Sequence, residues 1–359
     1  TKYDSCDYVV FCCGVYNIPK FPDLNKHSIQ NFSGMFKHSQ IFSNKSNTKF
    51  SIFKDKDVVI IGNGSTGCDL AVGAIKNKAK SVTIIFRSHR WVVPKKITVG
   101  VYEQSLHYFT YKSILNPSWK FPTIAYYALS FIMIFNYVFS GTSNYLKLPN
   151  TLINRDNISL NDKIFDYLKQ KKIKYIQDPN WSCKNKYIMT NQGKLPCDIC
   201  IAATGYSLNI PILNKEKMPL FYKRIVCLEP GYENIGFIGY APSFNWMQVS
   251  DLQARWYLHY IENLVHKVTK LEINKKINKD LREVQKNKYN YYDLSYILYN
   301  YCDDLARDIN KKYPSSLYFK AAKYDNWSDK NILYPKRRIN TDYIYLLIII
   351  SIIIVLIKK

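Results

Sequence analysis

Four β-branched residues, Val58, Val59, Ile60 and Ile61, run without a break into Gly62-Asn63-Gly64-Ser65-Thr66-Gly67. The chain has only 13 glycines in 359 residues, so three of them spaced G-x-G-x-x-G at the end of an apolar run demand a local cause. Residues 58–61 read as a strand buried on both faces. From Thr66 to Lys76, Cys68, Ala71, Val72 and Ile75 recur at helical spacing, which places the glycines in a strand-to-helix turn. A phosphate explains that arrangement. The first glycine allows the tight turn, the second lets a pyrophosphate approach the backbone, and the third lets helix pack on strand. The start of the helix adds free N–H groups and the positive end of its dipole. Gly62, Asn63, Gly64, Ser65, Thr66 and Gly67 are therefore expected to bind a dinucleotide.

The next strand, "SVTIIFRSHR", bears on which dinucleotide. Its tip is where such a unit reads the ribose, with an acid for a free 2′-hydroxyl or an arginine for a 2′-phosphate. Arg87 stands there, with Arg90 close behind. A guanidinium fork donates two parallel hydrogen bonds to a phosphate. The expected cofactor is NADP(H), with Arg87 as the reader and Arg90 next in line.

The length suggests two domains, and 47% hydrophobic residues suffice for ordinary cores. The formal charge of +24 would suit a nucleic-acid partner, but the lysines are dispersed among Asn, Ile and Tyr and no basic RNA-binding motif is present. No nucleic-acid partner is expected. Nine cysteines are scattered, and the single C-x-x-C, Cys197 to Cys200, falls in a strand-like segment without a second ligand pair. This pair reads as core thiols of a reducing compartment, and no metal site is expected. Asn-x-Ser triplets at Asn31 and Asn63 read as chance in an Asn-rich chain, since the second lies inside the phosphate turn.

Residues 343–357, "YIYLLIIISIIIVLI", are apolar throughout and follow the basic cluster Lys336, Arg337 and Arg338. The run is somewhat short of the roughly 20 residues that cross a bilayer, although 341–359 nearly reaches that length. With the basic cluster upstream, it reads as a tail anchor holding the body on the cytoplasmic face. A second uncharged window, 121–146, is interrupted by Pro122, Asn136, Ser140 and Gly141 and has an aromatic centre. It reads as an interfacial, membrane-facing insertion rather than a span.

Further motifs surround the glycine turn. "FSGMFKHSQIF" supplies Phe32, Gly34, His38 and Phe42 ahead of it; "AATGY" (202–206) and "SDLQARW" (250–256) follow. Together with the glycine turn these residues resemble the flavin-containing monooxygenases, whose motif F-x-G-x-x-x-H-x-x-x-[YF] precedes an NADP-binding G-x-G-x-x-G. Related Baeyer–Villiger monooxygenases carry Trp at the last position, where Phe42 stands. "FCCGVYNIPKFP" (11–22) is similar to the family's first ATG-type segment, with Cys12-Cys13-Gly14 in place of smaller residues. "LKLPN", "SLNDKIFDYL" and "YNYCDDLA" extend the resemblance across most of the chain.

The resemblance implies an α/β fold with two dinucleotide-binding, Rossmann-like domains, the NADP domain inserted in the FAD domain. It places FAD-domain parts at 1–50 and 201–335, the NADP domain at 51–200 with the apolar insertion at about 100–150, and a membrane anchor at 341–359. The family opens with its own strand, FAD-binding G-x-G-x-x-G and helix, whereas Thr1 stands a few residues before the first ATG-type segment. The FAD domain is thus expected to be incomplete and the sequence a fragment or truncated gene model. Gly14 and Thr204-Gly205 would be the two crossings between domains. Asp251 and Gln253 would face the flavin, the alternative being a helix-start cap by Ser250 or Asp251.

In the implied reaction NADPH reduces FAD and O2 is captured as a flavin C4a-hydroperoxide. A tertiary amine or sulfide then takes the distal oxygen. No side chain is required as general acid or base, so no catalytic residue is assigned, and His38 reads as a packing or hydrogen-bonding residue at the domain junction. The family's animal members place the body at a membrane, here expected to be the endoplasmic reticulum. Another NADPH-dependent flavin enzyme, an N-hydroxylase or reductase, and an inactive nucleotide-binding remnant remain open as alternatives. Substrate identity and oligomeric state are not legible.

Overall fold

The computed structural model describes residues 5–43, 47–93, 96–99, 102–105, 158–207, 221–227, 229–232, 234–241, 246–265, 269–287 and 298–309, with 130, 131, 134, 146, 147, 149, 210 and 213. Its central element is a five-stranded sheet in which every pairing is parallel. In spatial order the strands are Ile173–Gln177, Ser81–Phe86, Asp57–Ile61, Ile199–Ala202 and Met35–His38. Asp57–Ile61 is buried along its whole length, as a strand covered on both faces must be.

The two faces are covered differently. Alternation sends Val58 and Ile60 to one side, where they pack with Cys68, Ala71 and Ala74 of the helix Ser65–Lys76 and with Ile164 and Leu168 of the helix Ile164–Lys169. Val59 and Ile61 go to the other, against Trp181, Cys183, Ile188 and Leu195. Those belong to a three-stranded antiparallel meander, Ser182–Lys184, Tyr187–Thr190 and Gly193–Pro196, or to its approach. The second face is thus closed by a small sheet, which periodicity alone does not announce.

A second lobe holds a four-stranded sheet. Val9–Phe11 and Ile235–Phe237 run parallel, and the hairpin Phe221–Tyr222 and Val226–Cys227 adds two antiparallel strands. The helices Trp246–Ile261, Lys270–Asn287 and Leu298–Ile309 share its core through Trp256, Tyr257, Ile273, Ile277 and Leu305. Between the lobes the chain crosses twice, and the crossings pair: Ile18–Pro19 lies antiparallel to Tyr206–Ser207.

One expected boundary is corrected. Residues up to 50 were expected in the FAD-side domain, but Met35–His38 is the edge strand of the sheet that carries the glycine turn, paired with Ile199–Ala202. The cause is non-local: a short strand joins whichever sheet edge its apolar face matches, and Phe36 packs with the meander cluster. Among the described residues no helix is long and apolar enough to cross a membrane. The expected tail anchor at 341–359 and most of the insertion at 100–150 lie outside the described residues.

Candidate functional site

The glycine turn sits at the carboxyl end of the central strand of an open parallel sheet. That end of such a sheet is where ligands bind. Gly62 takes φ 114, a region L-residues avoid, while its N–H donates to Ile85 O over 2.7 Å. A Cβ on Gly62 would lie 2.5 Å from Ala203 O, and one on Gly67 would collide with the Gly62 carbonyl. Protein contacts therefore dictate two of the three glycines. Gly64 differs: its φ of −69 is ordinary, and a Cβ there would meet nothing within 4 Å. Packing gives no reason for glycine at 64, whereas a ligand pressed against that backbone does.

Gly64 is also the N-cap of the helix Ser65–Lys76 and offers no side-chain cap. The first helical bond runs from Cys68 N–H to Gly64 O, leaving the N–H groups of residues 65–67 ahead of it. No acidic residue occupies the first turn. An anion is the natural complement of such a helix start.

The remaining residues of the turn divide into supports and exposed positions. Asn63 is buried, and its Nδ2 donates to Ser88 O at 3.0 Å while its carbonyl accepts from Ser159 Oγ at 2.7 Å. Ser65 Oγ accepts from Leu160 N–H at 2.8 Å. Both side chains hold the turn in place and face protein. Thr66 is exposed. The supports Ser88, Ser159 and Leu160 are missed by a motif reading because two of them arrive from beyond the insertion.

Arg87 is exposed immediately past the tip of Ser81–Phe86, two residues beyond Ile85, the register partner of Ile61. Its carbonyl accepts from Gln177 Nε2 at 3.2 Å, which anchors the backbone and leaves the side chain outside. Arg90 lies close enough to Cys68 for its charge to favour the thiolate, but burial dominates and pushes that thiol up to about 12. Cys68 is an inert core thiol.

The crossing segment adjoins the turn. Ala203 N–H donates to Ile61 O at 2.8 Å, so Thr204 and Gly205 stand beside Gly62. Thr204 Oγ1 donates to Lys20 O, and Gly205 O accepts from Lys20 N–H at 3.0 Å. Gly205 O also lies 2.9 Å from His38 Nε2, and His38 Nδ1 accepts from Gln40 N–H at 3.2 Å. These partners assign the neutral Nε2–H tautomer. Burial holds the imidazole below its ordinary range, with the Gly205 bond opposing. Tyr206 and Phe21 set their rings edge-on to it at 5.0 and 5.4 Å. His38 is a buried brace of the crossing. Its motif partners pack too: a Cβ on Gly34 would meet the Phe32 ring at 2.5 Å, and Phe42 sits on Phe50 and Phe53 at 5.0 and 5.2 Å.

Asp251 and Gln253 lie in the second lobe, on the helix Trp246–Ile261. The helix begins at Trp246, so neither Ser250 nor Asp251 caps its start. Asp251 pairs with Arg255 one turn on, at 3.0 Å. Gln253 is completely buried, its Oε1 accepting from Gly239 N–H at 2.9 Å and its Nε2 donating to Tyr301 Oη at 2.7 Å. Both ends of its amide are engaged by protein partners within the lobe. The structure thus gathers Gly62–Gly67, Arg87, Thr204 and Gly205 at one sheet end and places Asp251 and Gln253 elsewhere. Among the described residues no group of three or more His, Cys, Asp or Glu could hold a metal ion.

Comparison with known proteins agrees with this architecture. The chain is 25% identical over 324 residues to flavin-containing monooxygenase 1 of Rattus norvegicus, covering 86% of this chain and 58% of that protein. It is 25% identical over 336 residues to putative flavin-containing monooxygenase 2 of Arabidopsis thaliana, covering 87% and 67%. The chain therefore spans less than two thirds of the rat relative. Cyclohexanone monooxygenase from Rhodococcus sp. Phi1, solved bound to NADP+, superposes with a TM-score of 0.58 at 15% identity over 86% of this chain and 74% of that one. Tmm from Pelagibacter sp. strain HTCC7211 gives 0.52 at 19% identity over 89% and 56%. These two likenesses bear on the fold. The model of the flavin-binding monooxygenase-like family matches residues 1–324, nearly the whole chain, and the chain belongs to that family.

Proposed function

We propose that this chain forms the NADPH-binding body and part of the flavin-binding body of an NADPH- and O2-dependent flavin monooxygenase acting on soft nitrogen or sulfur nucleophiles. The observation that carries the reading is the open space before Gly64, set between two glycines that packing requires. The backbone of Gly62–Gly67 would hold the pyrophosphate, and Arg87 would grip the 2′-phosphate at the next strand tip. Thr204 and Gly205 would border the same crevice. FAD, when bound, supplies hydride acceptance and oxygen transfer. The chain's own residues bind, orient and keep water out. His38 already has both ring nitrogens engaged and is not a proton carrier in this scheme.

The apolar run 343–357 behind Lys336, Arg337 and Arg338 supports a tail anchor, with the body on the cytoplasmic face of the endoplasmic reticulum. The insertion around 121–139 would rest on the same membrane.

The test is product formation by the protein in membranes supplied with FAD, NADPH, O2 and a tertiary amine or sulfide. N-oxide or sulfoxide formed in proportion to NADPH consumed supports the reading. NADPH oxidation that stays the same without the nucleophile and yields no oxygenated product refutes it in favour of a reductase.

A further inference from the structure

In the second lobe the hairpin Phe221–Tyr222 and Val226–Cys227 turns through Lys223 and Arg224, both in the left-handed region at φ 51 and 57. Non-glycine residues hold that conformation only where the surroundings impose it. Here the two cations reach into the helices. Lys223 Nζ lies 2.7 Å from Asp304 Oδ2 and 2.6 Å from Asp308 Oδ2, while Arg224 pairs with Asp280 at 2.8 Å. Trp256 Nε1 donates to the same Asp308 oxygen at 2.8 Å.

From this cluster one chain of hydrogen bonds runs across the core. Tyr301 Oη donates to Lys223 O at 2.7 Å, which uses its only proton. It must then accept from Gln253 Nε2, and that fixes the Gln253 amide with Oε1 toward Gly239 N–H. Gly239 follows the strand Ile235–Phe237 in a left-handed turn at φ 77. Ile238 N–H donates to Phe11 O at 3.1 Å, so the turn and residues 12–14 leave side by side at the carboxyl end of the parallel pair. That end of a parallel pair is where a dinucleotide would approach the lobe.

We propose that Gln253 is a positioning residue. Held by Tyr301 and the Lys223 turn, it sets the backbone of 239–241 at the ligand end of the second sheet without touching a ligand itself. The flavin part of this inference rests on the function proposed above. The relay explains why a glutamine stands fully buried here: its two ends answer two different partners, as neither an apolar residue nor a carboxylate would.

The test uses Gln253→Leu and, as a milder change that keeps the ring, Tyr301→Phe. Hydrogen exchange at single-residue resolution compares Gly239 N–H with Phe237 N–H, which donates to Ile225 O at 2.8 Å and serves as internal reference. Gly239 should exchange about five- to tenfold faster in both variants with Phe237 unchanged. FAD affinity should fall by about the same factor while NADPH affinity holds. Equal acceleration of both amides, or equal loss of both cofactors, would mean general loosening and overturn the proposal. Wild-type protein that takes up no FAD while Gly239 still responds would refute the flavin reading and, with it, the ligand half of this inference, leaving the bridge itself demonstrated.

Discussion

His38 Nε2 donates to Gly205 O across 2.9 Å, joining the edge strand of the first sheet to the segment by which the chain leaves it. The same carbonyl accepts from Lys20 N–H on the other crossing, so one oxygen ties three segments. This brace has a pH consequence. Burial lowers the His38 pKa, so the folded protein binds a proton there less readily than the unfolded chain. Its stabilisation is complete above the ordinary histidine range of about 6.5 and is lost as pH falls through the lower folded value. A His38→Gln variant, which keeps a donor and removes the titration, should show a flatter fall in Tm between neutral and mildly acid pH. Parallel curves for wild type and variant would place the acid sensitivity elsewhere.

The glycine turn separates packing from binding within four residues. Gly64→Ala should leave stability unchanged or raise it by about 0.4–1 kcal/mol, because φ is ordinary and space is free. Its NADPH affinity should nonetheless drop. Gly67→Ala drives a methyl group into the Gly62 carbonyl and should cost about 1–3 kcal/mol in denaturant unfolding. If Gly64→Ala binds NADPH as wild type does, the space before it is not a ligand's.

Lys223→Met takes the lysine from between Asp304 and Asp308 and leaves Asp304 with Lys276 alone, at 2.9 Å. Both carboxylates are about one-third exposed, so the loss should be nearer 2–3 kcal/mol than the larger cost of a fully buried pair. Burial alone would raise the Asp304 pKa, but Lys223 and Lys276 hold it low; the variant should lose the Lys223 share of that depression and keep the Lys276 share. Unfolding curves and the carboxyl titration check both statements.

How much of this was legible in advance follows from range. The strand, the three glycines and the helix lie within one short stretch, and their roles are local, so sequence alone locates the turn. The place of Arg87, just past the next strand tip, is legible because strand tips in such a unit stand in fixed order. What the sequence hides is partnership at a distance. Met35–His38 joins the first sheet through a strand some 160 residues on, and nothing local says so. Gln253 within "LQARW" looks like a ligand contact, yet its partners Gly239 and Tyr301 come from separate elements and draw it inward.

Deleting residues 342–359 tests the proposed anchor. The truncated protein should leave membranes only in part if the insertion around 121–139 also rests on lipid. Complete release into the soluble fraction would assign that insertion to the protein's interior, and no release would remove the tail from the account.

Arg87→Ala bears most directly on the central claim that the glycine turn and its neighbouring strand tip read NADPH. Loss of a charge-assisted, bidentate contact should cost roughly 2–3 kcal/mol, about 30- to 150-fold in affinity. Calorimetric titration should show NADPH weakened by that factor and NADH, which has no 2′-phosphate, bound almost as before. Equal weakening of both cofactors, or of neither, would contradict the assignment of Arg87 as the reader of the 2′-phosphate.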